Sequence, residues 1–146
     1  MIAMRGFAVC LALALWLTGC RTTPVAPASV SVPVLVCAGG ERAMVRETLY
    51  FGRSRPGGGV SDVEWQSFLD DAVTPRFPDG FTALQGRGQW RDGHGAIVAE
   101  PSALLVVLHD GGADATRMVG DIAEEYRRRF DQEAVLRERG AVCARF

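Results

Sequence analysis

Hydrophobic positions between residues 45 and 144 follow two different periods, and each change of period marks an element. Val45 to Arg53, centred on Leu49-Tyr50-Phe51, is rich in β-branched and aromatic residues and reads as a strand. A turn segment follows, Arg55-Pro56-Gly57-Gly58-Gly59. Ser61 then opens a helix. Glu64, three residues on, completes a capping box, and Val60 and Trp65 occupy the two positions of a hydrophobic staple. Trp65, Phe68, Leu69, Ala72 and Val73 form one apolar stripe at helical spacing. Pro75 ends it, because a residue before proline, here Thr74, disfavours helical geometry.

Pro78-Asp79-Gly80 is a turn in which proline sets φ and glycine accepts a positive one. A second strand is expected from Phe81 to Trp90, with a bulge at Gly86 and Gly88. Arg91 to Gly95 forms a hairpin tip, and a third strand has its inner portion at Ala103 to His109, with Pro101 keeping its start irregular. A second helix is expected over Asp114 to Phe130, burying Met118, Val119, Ile122, Ala123, Tyr126 and Phe130. Its outer face carries Glu124/Arg128 and Glu125/Arg129 pairs at i,i+4. A last strand runs from Ala134 to Ala144, kinked at Gly140.

The order strand, helix, strand, strand, helix, strand is that of the ferredoxin-like α+β fold. Its antiparallel four-stranded sheet has spatial order 4-1-3-2 and both helices on one face. The first and last strands are then neighbours, which brings Cys37, just before the first, next to Cys143, near the end of the last. Cysteine arithmetic pairs the same two residues. Cys10 lies in an N-terminal leader and Cys20 is set aside for lipid, which leaves one pair for a disulfide.

That leader carries a single charge, Arg5, before an apolar run from Phe7 to Thr18. The run is shorter than the about 20 residues a transmembrane helix needs, so it reads as a signal-peptide core. It ends in Leu17-Thr18-Gly19-Cys20, which resembles the lipobox of bacterial lipoproteins, with the Cys20 thiolate as acceptor of the diacylglycerol. Arg21 follows, and in the usual Gram-negative sorting pattern that points to the periplasmic face of the outer membrane. The expected organisation is therefore a signal peptide over 1–19, a lipidated cysteine and Pro-rich tether over 20–40, and one domain over 41–146.

Sixteen basic and seventeen acidic side chains leave a net charge of -1, so no basic excess draws nucleic acid. Every basic residue is arginine, which excludes Schiff-base lysine chemistry. No cysteine or histidine cluster has metal-ligand spacing, and no nucleotide-binding glycine motif is present, so neither metal nor cofactor is expected. The two histidines fall at opposite ends of the sheet, roughly 20 Å apart for a six-residue strand, so they do not cooperate in one subunit.

The candidate ligand site gathers at one end of the sheet. Arg53 and Arg55 precede the Gly57, Gly58 and Gly59 loop, which opens onto a helix N-terminus, an arrangement able to hold an anion. Tyr50, Trp90 and His94 complete the candidate set. Ser61 and Glu64 also occupy that N-terminus, and a solvated connector is the plainer account of the loop. In the third strand, Ala103, Leu105 and Val107 alternate with Leu104, Val106 and Leu108, so one apolar set must lie on the helix-free face. An uncovered apolar patch signals a partner: a second copy, the Val32–Val36 segment folding back, or an apolar ligand.

Leu49-Tyr50-Phe51-Gly52-Arg53, Val73-Thr74-Pro75-Arg76-Phe77-Pro78-Asp79-Gly80 and Gly88-Gln89-Trp90 resemble motifs of a family of small bacterial lipoproteins classed as a domain of unknown function. The resemblance runs from about Arg46 to the C-terminus. It implies a single-domain envelope lipoprotein and supplies no activity or catalytic residue. The function expected is a non-enzymatic, lipid-anchored periplasmic domain that binds a small ligand or an envelope protein. The alternative is a small enzyme resembling dimeric α+β-barrel proteins, with a cavity between helices and sheet.

Overall fold

A computed structural model of the chain describes residues 35–146. The leader, Cys20 and the tether up to residue 34 lie outside the described residues.

Strand β1 spans Arg42–Gly52 and runs into a two-residue ribbon, β2 (Ser54–Arg55) with β3 (Gly58–Gly59). Helix α1 covers Asp62–Phe68, and the long hairpin β4 (Thr82–Arg91) and β5 (Ile97–His109) follows. Helix α2 (Ala113–Arg129) leads into β6 (Leu136–Ala144). The molecule is α+β, with two helices and an antiparallel four-stranded sheet in the order β4-β5-β1-β6.

Local chemistry accounts for the helix start. The Ser61 hydroxyl accepts from the Glu64 N–H while the Glu64 carboxylate accepts from the Ser61 N–H, and both staple residues, Val60 and Trp65, are buried. The stripe continues past Phe68, but in a wider turn: residues Leu69–Val73 are π-helical, closed by the Thr74 N–H donating to the Leu69 carbonyl at 2.8 Å.

Three further details differ from the sequence expectations. The register of β4 on β5 is unbroken from Thr82↔Val106 to Arg91↔Ile97, so Gly86 and Gly88 make no bulge. Pro101 lies inside β5, whose strand starts earlier, at Ile97. Its carbonyl accepts from the Arg53 N–H, so its nitrogen faces a point where the β1 ladder has just ended, and no donor is missed. The i,i+4 pairs expected on α2 give way to other partners. Arg127 meets Glu124, Arg129 reaches Asp71, and Glu125 binds Arg76, because the neighbouring π-turn brings Asp71 and Arg76 close to α2.

The core lies between the helices and one sheet face. Phe51 is at its centre, with ring centroids 4.6 Å from Tyr126, 5.3 Å from Trp65 and 5.9 Å from Phe68. Leu49, Ala103, Leu105 and Val107 complete the floor and are fully buried. Leu104, Val106 and Leu108 alternate with these and lie half-buried on the helix-free face. Register aligns Leu84, Leu104, Tyr50 and Leu136 in one row across that face.

A charged cluster closes the core at the far end. Glu47 is fully buried and accepts two hydrogen bonds from Arg137, at 2.7 and 2.6 Å, with His109 and Arg139 each 3.5 Å from Oε1. Burial pushes its pKa up, but the Arg137 bonds and the charges of Arg137 and Arg139 outweigh that and hold it below the usual carboxylate value. The disulfide Cys37–Cys143 ties the segment before β1 to β6, with Cα atoms 5.5 Å apart.

Candidate functional site

The sheet end where β1 stops carries most of the candidate residues, but the structure divides them into two groups. Arg53 turns inward and is buried. Its guanidinium donates to the Val60 carbonyl and to Gln85 Oε1, and lies 2.8 Å from Asp62. Arg55 donates to Glu64 at 2.7 Å and lies over the Phe130 ring. The bond from the Ser61 N–H, then those from Arg55 and the Ser61 hydroxyl, hold Glu64 down at about 2. Both guanidinium groups are therefore partnered within the chain. The glycines after Arg55 turn the chain back, so that Gly58 and Gly59 pair with Arg55 and Ser54 in the β2–β3 ribbon, with Gly57 at φ +85° and Gly58 at φ +145°. His94 is exposed at the hairpin tip, where Asp92 accepts from its backbone N–H.

Tyr50 and Trp90 belong to a different feature. They line a cavity of about 230 Å³ on the helix-free face, together with Glu100, Ser102, Glu133 and Leu136. The hollow exists because of missing side chains. Around Ser102 and Glu100, the cross-strand neighbours on the same face are Gly52, Gly86 and Gly88. A β-carbon on Gly86 would stand 3.3 Å from Ser102 Oγ, and one on Gly88 3.6 Å from it, so larger residues there would fill the space.

Glu100 uses that room. Only 8% exposed, it folds back over Gly52, and its Oε2 accepts from the Ser54 N–H at 2.9 Å. The Tyr50 hydroxyl donates to Glu138 Oε2 at 2.9 Å, and this bond pushes the phenol up, which keeps it neutral. Beneath the site, on the core side, the Tyr126 hydroxyl donates to the Gly52 carbonyl at 2.8 Å, and burial raises that phenol too. Glu100 and Ser102 were not among the residues the sequence singled out. The available signal was Gly86-x-Gly88 within a strand, since strand glycines also mark close approach by a ligand.

A second, broader groove of about 960 Å³ lies at the other end, bordered by Arg42, Phe77, Phe81, His109 and Met118. His109 accepts from the Gly111 N–H through Nδ1, and its Nε2 faces Glu47. Among the described residues no group of three or more His, Cys, Asp or Glu side chains is placed to hold a metal ion.

Residues 46–146 match the family described as "Protein of unknown function (DUF3574)", and the chain belongs to that family. No curated protein matches it. Among solved structures it is similar to a phage SAM lyase in complex with S-methyl-5'-thioadenosine. The TM-score is 0.54 at 17% identity, over 79% of this chain and 97% of that one. The same lyase in its apo state gives a TM-score of 0.52 at 18% identity, over 78% and 97%. At these identities the likeness is one of fold.

Proposed function

We propose that this chain is a lipid-anchored periplasmic domain, without catalytic activity, that binds a small molecule in the open-face cavity between Tyr50 and Trp90. The observation that carries the reading is the hollow lined by Gly52 and Gly88 and walled by Tyr50 and Trp90. Concave sites with aromatic walls and a few polar groups are where small ligands bind. The fold reading is ferredoxin-like: counting long strands alone, the order is second, third, first, fourth, which is 4-1-3-2 from the other edge. The anchor rests on the Leu17–Cys20 lipobox, and an oxidising compartment agrees with the Cys37–Cys143 bridge.

A thermal-shift screen of the full-length protein against cationic, anionic, neutral polar and apolar metabolites tests this. At least one class should raise the melting temperature, and Trp90→Ala should remove the effect. No shift in any class, or a shift untouched by Trp90→Ala, contradicts it.

The second reading is a small enzyme, favoured by the fold shared with a phage SAM lyase. Its cavity would be this open-face hollow, since Phe51, Trp65, Phe68 and Tyr126 pack the space between helices and sheet. Release of S-methyl-5'-thioadenosine from S-adenosylmethionine by the purified protein would favour that reading over simple binding.

A further inference from the structure

Resting on the small-ligand reading, we infer that the open-face cavity selects an organic cation, of the alkylammonium or quaternary ammonium type. Three features of the cavity agree on that class. The charged residues among its lining are Glu100 and Glu133, both acidic, with no arginine or histidine. Glu100 is more than nine-tenths buried, yet among the described residues no basic side chain forms an ion pair with it. Its one hydrogen bond, from the Ser54 N–H, goes to Oε2, which leaves the Oε1 lone pairs open to a cation. A bound cation supplies the missing partner.

The aromatic walls point the same way. Faces of Trp and Tyr rings attract cations, most strongly when water is excluded, and aromatic cages serve quaternary ammonium ligands. Tyr50 donates its hydroxyl proton toward the Glu138 carboxylate, which makes its ring more electron-rich. An anion would face two carboxylates here. The nearby arginines are committed elsewhere or set apart: Arg53 turns to Val60, Gln85 and Asp62, Arg55 to Glu64, and Arg46 stands beyond Thr48 on the same face. The volume of about 230 Å³ admits a small headgroup.

Calorimetric titration of the full-length protein with choline, tetramethylammonium and 3,3-dimethyl-1-butanol, the uncharged isostere of choline, tests the inference. The cations should bind, with the isostere at least about tenfold weaker, equivalent to about 1.4 kcal/mol. Glu100→Gln should bring choline down toward its isostere, and Glu133→Gln, on an exposed residue, should weaken it without disturbing the fold. Equal binding of choline and the isostere overturns the inference, as does choline affinity unchanged in both variants. If neither cation binds while neutral or anionic compounds bind in a Trp90-dependent way, the charge class falls and the small-ligand reading stands. If nothing of any class binds, both fall.

Discussion

Glu100 and Gly52 share one small volume: Glu100 Oε1 lies 2.6 Å from where a β-carbon on residue 52 would stand. Glycine at the end of β1 is therefore what allows the Glu100 carboxylate to fold back, reach the Ser54 N–H and leave a hollow beside it.

Gly52→Ala should displace that carboxylate and destabilise the domain by about 1–3 kcal/mol, the usual range for overpacking. Adding Glu100→Ala should relieve the clash, so the two changes together should be less harmful than their sum. Chemical denaturation of the two single variants and the double variant measures this coupling.

Acid should weaken the fold below the ordinary carboxylate value of 4.5, because Glu47 and Glu64 are both held lower when folded. Over that range the unfolded chain binds more protons than the native one, so stability is full above about 4.5 and falls as pH drops toward 2. Arg137→Ala should cost about 1–3 kcal/mol at neutral pH, since it removes both short hydrogen bonds of the buried Glu47 and leaves it Arg139 and His109 at 3.5 Å. Urea unfolding between pH 2 and 7 reads both effects.

Replacing Cys37 and Cys143 together by alanine should lower stability by about 2–5 kcal/mol. The bridge ties residues 106 apart in sequence, while the β1–β6 ladder supplies its own hydrogen bonds. Circular dichroism should therefore show an unchanged spectrum at 25 °C and a lower melting temperature.

Cys20→Ala should abolish incorporation of labelled palmitate and release the protein from the membrane fraction on cell fractionation. Retention of label in that variant would refute lipidation at this residue.

Much of the architecture was legible because it follows from short-range rules. The Ser61–Glu64 box and the Val60–Trp65 staple identify α1, and the alternation from Ala103 to His109 identifies the inner part of β5. The π-turn at Leu69–Val73 was not legible, since the same apolar stripe fits an ordinary helix. The site was harder still. Arg53 reads as a surface arginine beside a glycine loop, but the ribbon after Gly52 turns it inward onto the Val60 carbonyl. Glu100 does not stand out in the sequence, because Pro101 next to it reads as an irregular start to β5. Only the register, which sets Glu100 against Gly88 and Ser102 between Gly52 and Gly86, shows that these residues surround a hollow.

The most direct test is a map of amide and indole chemical shifts in the isotope-labelled full-length protein as choline is added. The account predicts saturable changes at Gly52, Gly88, Ser102 and the Trp90 indole, with the Arg55–Gly59 ribbon unaffected. Changes confined to that ribbon, or none at any concentration, would contradict it.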